Sequence, residues 1–445
     1  MEEISYHHRH RVTSSQVIIL GFAGVILFGA LLLMLPVSSR SGETTPFIEA
    51  LFTSTSAVCV TGLVVHDTAT YWSVFGQGVI LALIQIGGMG VVTVAVTVAI
   101  VSGRKISLMQ RSTMQEAISA PSLGGIVRLT GFIVKAAFLI ELAGAVVMLP
   151  VFCRDFGIKG IWMAFFHSVS AFCNAGFDLM GGRGNYSSLT TYNTNPVINI
   201  TVMLLIIVGG IGFLTWDDIR RNRWHFRRYR MQSKVILSAT AVLLVVPAVY
   251  FYFFEFRNYP FNERILMSAF QSVTPRTAGF NTADLNCMSE AGQTIITTLM
   301  LIGGSPGSTA GGIKTTTLVV LFAEAISVFC RRQEASCFGR RIESDAVRQA
   351  ATVLLLYITL FLTGGLLISI SEHLPIQPCL FESASAIGTV GLSLGLTPNL
   401  GQFSRIILIG LMFFGRVGGL TLVFAALATG NKSNAKLPKE KITIG

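Results

Sequence analysis

Long stretches of this chain carry no charged residue at all, among them 16–39, 70–103, 190–215, 235–254, 291–313 and 349–371. A helix of about 20 apolar residues crosses the hydrocarbon layer of a bilayer, and every one of these runs is at least that long. Only 12% of the residues are charged, against roughly 25% in a soluble domain. The chain is a polytopic membrane protein. Its first apolar run lacks the flanks of a cleaved signal segment and is expected to persist as a helix.

The net charge of +11 raises the question of nucleic acid, but the positions of the charges answer it. Lys and Arg gather at 104–111, 220–234, 331–348 and 432–441. The alternate loops hold Glu43, Asp67, Asp155, Asp178, Glu255, Asp284 and Glu372 with few basic residues. This is the positive-inside asymmetry, which puts both termini and the basic loops in the cytoplasm. The arginine-aromatic run Arg220–Arg230 therefore suits a membrane-facing loop or a docking surface, and no nucleic-acid partner is expected. The seven cysteines include no CxxC pair and suggest neither a metal site nor a disulfide framework.

A segment recurs four times: FTSTSAVCVTGL ending at Leu63, FHSVSAFCNAGF at Phe177, FQSVTPRTAGF at Phe280 and FESASAIGTVGL at Leu392. Each opens on Phe, continues with Ser or Thr, and closes on Gly plus a large apolar residue. The anchoring glycines, Gly62, Gly176, Gly279 and Gly391, are 114, 103 and 112 residues apart. Each segment lies between two apolar helices, so the unit is helix, short non-spanning helix, loop, helix. It occupies 14–101, 127–219, 234–330 and 347–429, and a polar tail fills 430–445. The short helices are expected at Phe47–Cys59, Ile161–Cys173, Phe261–Val273 and Pro378–Ile387. Non-helical backbone at membrane depth is tolerated only when buried in protein or lining a cavity. The expected fold is all-α: eight transmembrane helices as four helix–pore-loop–helix repeats around one central pore.

A dehydrated cation needs replacement oxygens, and four loops aiming backbone carbonyls at one axis supply them. Glycine permits the backbone conformation and leaves no side chain in the path. Candidate filter residues are Val60, Thr61 and Gly62; Asn174, Ala175 and Gly176; Thr277, Ala278 and Gly279; and Thr389, Val390 and Gly391. A single glycine of this kind commonly just ends a helix; four in register favour a pore.

These segments, with GGSPGSTAGGIKT (303–315) and FFGRVGGLT (413–421), resemble the Trk/Ktr/HKT superfamily of potassium transporters. The chain is most similar to the membrane subunits of bacterial Ktr systems. In that superfamily glycine at all four filter positions goes with potassium permeation, and serine in the first with sodium. Gly62 occupies the first position here. The resemblance implies K+ as the transported ion, Na+ as a conceivable activator, a homodimer in the bacterial plasma membrane, and a separate cytosolic KtrA-like ring of Rossmann-type subunits. That ring, not this chain, would bind ATP or ADP.

The run 301–318 concentrates helix-breaking residues within an apolar segment: Gly303, Gly304, Ser305, Pro306, Gly307, Ser308, Thr309, Ala310, Gly311 and Gly312. Gly and Pro cost a helix interior roughly 1 and 3 kcal/mol relative to Ala. Gly303 follows Gly279 by 24 residues, as Gly415 follows Gly391, so the break falls below the filter. The expectation is a gate that occludes the pore and withdraws, and the resemblance implies the same. Arg416 aligns with Gly304 at that depth, where a charge must face a cavity or a partner; loop carbonyls or a broken helix end are its expected partners. Lys314 is a weaker candidate, since the following helix could carry it toward the cytoplasm. Lys135 and Glu141 suit packing or snorkelling better than a proton relay.

Two formal motif matches lack their setting. GGSPG imitates the hydrolase elbow without its strand-turn-helix context, and GSTAGGIKT misplaces the lysine of a phosphate loop. No enzyme activity is expected. The alternative is a Na+- or H+-coupled symporter working by alternating access, which the scarcity of intramembrane carboxylates disfavours.

Overall fold

The computed structural model describes residues 13–102, 106–118, 124–223, 225–419, 421–422 and 440. The tail 430–445 falls outside them save for one position, as do residues 423–429 of the fourth expected repeat. The chain begins with α1 (Ser14–Leu33), α2 (Phe47–Val58), α3 (Val74–Met89) and α4 (Val91–Val101). The helix α5 (Leu108–Ile118) leads to α6 (Ile126–Phe156), α7 (Lys159–Phe172), α8 (Pro196–Gly210) and α9 (Phe213–Asn222). Then come α10 (Met231–Tyr250), α11 (Phe261–Val273), α12 (Glu290–Leu301) and α13 (Thr315–Phe329). A hairpin of β1 (Ser336–Cys337) and β2 (Arg340–Arg341) precedes α14 (Ser344–Glu372), α15 (Ile376–Gly388) and α16 (Gln402–Val417).

Among the described residues, four helices are long and apolar enough to cross a membrane: α1, α6, α10 with its π-helical extension to Glu255, and α14. Two bent pairs, α3 with α4 and α8 with α9, raise that to six by length and composition. The break expected in the second helix of the third unit recurs in the second helix of every unit, which is why fewer than eight helices are long enough to cross unbroken. Gly90 and Gly212, at φ 86° and 91°, turn the chain by 95° and 96°. Gly418, at φ 92°, ends α16 in the same conformation, and 302–314 separate α12 from α13. A side chain at such φ is strained, so glycine at these three places marks the bends.

The short helices fall within a residue or two of expectation. Three start directly after proline, at Pro46, Pro260 and Pro375, whose missing N–H costs a helix start nothing. Each long helix packs on the short helix that follows it: α1 on α2, α6 on α7, α10 on α11, α14 on α15. The contacts between units run in a cycle, α3 on α7, α8 on α11, α12 on α15, and α16 back on α2. The short helices are thereby sheathed, and the apolar outer faces of the long ones, with Leu27, Leu139, Val246 and Leu366 exposed, are left for lipid.

Candidate ion pathway and gate

Side-chain hydroxyls fasten three of the four short helices on two sides and the fourth on one. Outward, Ser54 Oγ donates to Ile26 O at 2.7 Å, Ser168 Oγ to Glu141 O at 2.5 Å and Ser383 Oγ to Phe361 O at 2.8 Å, pinning three short helices to their long neighbours. Inward, Ser56 and Ser385 accept from the N–H of Gly62 and Gly391 at 3.0 Å. In the other two segments the hydroxyl reverses role: Ser170 donates to Phe177 O and Thr274 to Phe280 O, at 2.7 and 2.5 Å. The Ser/Thr content of the recurring segment is therefore structural bracing, a function the sequence pattern did not disclose.

In all four segments the residue two before the glycine has positive φ: Val60 51°, Asn174 58°, Thr277 65° and Thr389 51°. The glycines follow at 92°, 69°, 78° and 93°, and the residue between is not left-handed. All four segments thus share one alternation of backbone handedness. Non-glycine residues held left-handed mark a site whose surroundings dictate its shape.

The glycines meet in a ring. A Cβ added to Gly62 would strike Ala175 O, one on Gly176 would strike Ala278 O, one on Gly279 would strike Val390 O, and one on Gly391 would strike Thr61 O, all at 2.8 Å or less. Each glycine thus fits against the carbonyl of the next segment, and the cycle closes. Above it opens a cavity of about 740 Å³, walled by all four glycines and by Asp67, Asp178 and Asp284, with no Lys or Arg among the described lining residues. Asp67 also ties two loops together: it accepts from Ala69 N, Thr70 N and Tyr186 N at 3.0, 2.9 and 3.1 Å. Burial, and secondarily the charge of Asp67, push the Asp178 carboxyl up to about 7, against a bond from Met180 N–H.

Directly beneath lies the loop 302–314. Gly303 N donates to Ile313 O at 2.8 Å and Thr315 N to Gly304 O at 3.0 Å, closing its neck. It is stitched to the broken end of α8: Ser305 N to Gly210 O at 3.0 Å, Thr309 N to Gly209 O at 3.3 Å, and Phe213 N to Gly307 O at 2.7 Å. Gly312 N donates to Gly415 O of α16 at 3.3 Å. Gly311 has no room for a Cβ because the Thr389 side chain is there, so the loop abuts the underside of the glycine ring. A second cavity of about 320 Å³ lies on its far side, walled in part by Gly307, Ser308, Ala310, Lys314 and Arg416.

Arg416 donates to Thr309 O, the kind of loop carbonyl expected of it, and also to Gly87 O and Gly88 O at the end of α3. Lys314 stays with the loop, its Nζ donating to Ala310 O at 2.8 Å and Gly311 O at 3.4 Å. Among the described residues neither cation has a carboxylate within 4.0 Å. Glu141 is not partnered by Lys135; it accepts from Gln85 Nε2 at 2.9 and 3.2 Å. Two further anchors went unnoticed in the sequence. Glu382, fully buried, accepts from Ser393 and Thr397, holding the segment that leaves the ring. Glu49 joins Arg405 at 3.0 Å and His66 at 2.6 Å, fastening α2 to α16. The only signal for either was a carboxylate inside an apolar amphipathic stretch.

The chain matches the TrkH family, described as cation transport protein, over residues 6–435. It belongs to that family. It is 42% identical to the potassium/sodium uptake protein NtpJ of Enterococcus hirae, across 98% of each chain. It is 37% identical to the Ktr system potassium uptake protein B of Bacillus subtilis, across 98% of this chain and 97% of that one. Its fold is that of the potassium transporter TrkH from Vibrio parahaemolyticus, with TM-score 0.74 at 18% identity, over 94% of this chain and 86% of that one. Within the Trk/Ktr superfamily the chain is of the Ktr membrane-subunit type.

Proposed function

We propose that the chain is the pore subunit of a potassium uptake system. K+ passes through four repeats of helix, pore helix, filter loop and broken helix arranged about one axis, eight crossings in all. The ring in which each filter glycine seats against the next segment's carbonyl carries this reading, because it brings oxygens from all four segments to one point. The filter comprises residues 60–62, 174–176, 277–279 and 389–391. The acidic mouth above it concentrates cations.

The loop 303–312 is the gate, with Lys314 and Arg416 as its electrostatic lock. Two half-buried cations with only carbonyl partners repel K+ below the filter, and Arg416 clamps the loop at Thr309. Opening requires the loop's backbone bonds to α8 and α16 to yield. A cytosolic nucleotide-binding ring supplies that work through the basic loops, and two copies of the chain stand side by side, each with its own pore. The names of the E. hirae and B. subtilis relatives support potassium as cargo and leave Na+ as activator or second ion.

The test is cation uptake into liposomes holding the purified chain, under opposed K+ and Na+ gradients, with and without residues 304–312. Passive K+-preferring flux that grows on deletion supports a gated pore. Saturating flux that ignores the loop and demands a coupled ion would replace the pore with the symporter.

A further inference from the structure

The half-helix after the bend in the second unit has a distinct build. The first part of α9 is apolar and buried, with Phe213, Leu214 and Trp216 inside the protein and Trp216 Nε1 donating to Val208 O at 3.0 Å. Its last part and the turn beyond are arginine-rich: Arg220, Arg221, Arg223, Arg227, Arg228 and Arg230. The 96° bend lays this helix across α8 instead of along it. Arg220 rests over the Phe132 ring, 4.3 Å from its centroid. The 31 residues of α6 rise about 46 Å, well beyond the roughly 30 Å hydrocarbon layer. Phe132 is in the second turn of that helix, so the arginines lie at the boundary between hydrocarbon and headgroups.

Half of these arginines are paired with carboxylates within the protein. Asp217 pairs with Arg220 and Arg221 at 3.7 and 2.8 Å, and Asp218 with Arg230 at 3.5 Å. Both aspartates are buried, at 3% and 2% exposure, so they fix the helix and offer nothing outward. Arg223, Arg227 and Arg228 are exposed, and among the described residues no carboxylate lies within 4.0 Å of any of them. Phe226 and Tyr229, 5.8 Å apart between ring centroids, sit between these cations. Aromatic rings beside arginines at headgroup depth are the composition of a membrane interface, and guanidinium is the group that grips phosphate in bidentate fashion.

We infer that Arg223, Arg227 and Arg228 form a binding surface for the phosphates of anionic lipid headgroups, and that lipid held there steadies the gate loop closed. The coupling is mechanical and short. The first N–H of α9, at Phe213, donates to Gly307 O at the apex of the loop, 2.7 Å away. Gly212 fits against Pro306 O from the other side. A helix anchored at its arginine end cannot tilt, and its opposite end keeps its hold on Gly307. A ligand shifts an equilibrium toward the state it binds better, and here that is the state with this bond made. The inference rests on the pore reading and on the sidedness set by the charge distribution.

The test compares the chain with the triple variant Arg223→Gln, Arg227→Gln, Arg228→Gln. Potassium uptake is measured in vesicles of phosphatidylcholine alone and of phosphatidylcholine mixed with phosphatidylglycerol. The two chains should conduct alike in the neutral vesicles, and the variant should exceed the parent several-fold in the mixed ones. Equal flux in the mixed vesicles overturns the proposal. Independently of flux, short-chain phosphatidylglycerol added to the parent chain in a zwitterionic detergent should raise its thermal unfolding midpoint, and should do so far less for the variant; equal shifts overturn the site. If neither chain conducts in any vesicle even with residues 304–312 deleted, the pore reading fails while the thermal measurement still judges the lipid site. A variant that loses only its hold on a cytosolic regulatory protein, with its lipid response intact, makes this a protein dock and overturns the proposal.

Discussion

Replacing Gly307 by alanine should open the path without any regulatory partner. Gly307 sits at φ +62°, and an added Cβ would press on the backbone oxygen of Ile118 more closely than real side chains approach. Left-handed backbone costs a non-glycine residue roughly 1–2 kcal/mol. Relief from the clash moves the carbonyl that accepts from Phe213 N at 2.7 Å, losing part of a bond worth about 0.5–1.5 kcal/mol. Together the closed loop is destabilised by about 1.5–3 kcal/mol, roughly a ten- to hundredfold shift toward any conformation that frees Gly307. The assay is K+ uptake into liposomes from the purified chain alone, beside a thermal unfolding curve showing that the variant is folded. A folded Gly307→Ala chain with flux equal to or below the parent would refute the reasoning, because the loop would then be a fixed lining and not a gate.

Gly62→Ser should lower K+ preference over Na+ in competitive uptake, because its Cβ would push on Ala175 O and take one oxygen from the ring; undiminished preference would remove Gly62 from the filter. Burial pushes the Asp178 carboxyl up to about 7, so it gains protons as pH falls through that range, and uptake at limiting K+ should fall roughly two- to fivefold as external pH drops from about 8 to about 6. Asp178→Asn should flatten that profile at the lower level, and an unchanged profile would exonerate the residue. Arg405→Ala breaks the link to Glu49 at 3.0 Å and the bond to Pro398 O at 3.1 Å, which should cost about 1–3 kcal/mol and lower the thermal midpoint by a few degrees; an unmoved midpoint would count against that link as a fastener.

Spacing made the four glycine segments and the glycine-rich break legible, because each departs from what an apolar helix tolerates. The bends at Gly90, Gly212 and Gly418 were not legible. A single glycine in an apolar run is common in membrane helices, and only the backbone shows which one takes a positive φ. The region 104–111 looked like a plain basic loop, yet part of it begins α5, whose buried Met114 and Ile118 are too few to announce a helix. Arg416 was recognisable as a loop partner from its register, but its bonds to Gly87 and Gly88 join residues more than 300 positions apart. Nothing local in either segment encodes such a meeting. Glu382 and Ser56 were hidden for another reason: their partners are backbone groups and hydroxyls set by a loop conformation that the sequence does not specify alone.

The order of contacts around the glycine ring is the order of the chain, and its last seam is made by its first and last units. Glu49 meets Arg405 across 356 residues, and the carbonyl of Thr61 faces Gly391. During synthesis, three units can dock in succession while the side toward the first stays open. Only the final hundred or so residues can shut it, and those same residues contribute Arg416. The ring is therefore completed by the same stretch of polypeptide that brings Arg416 to the loop beneath it.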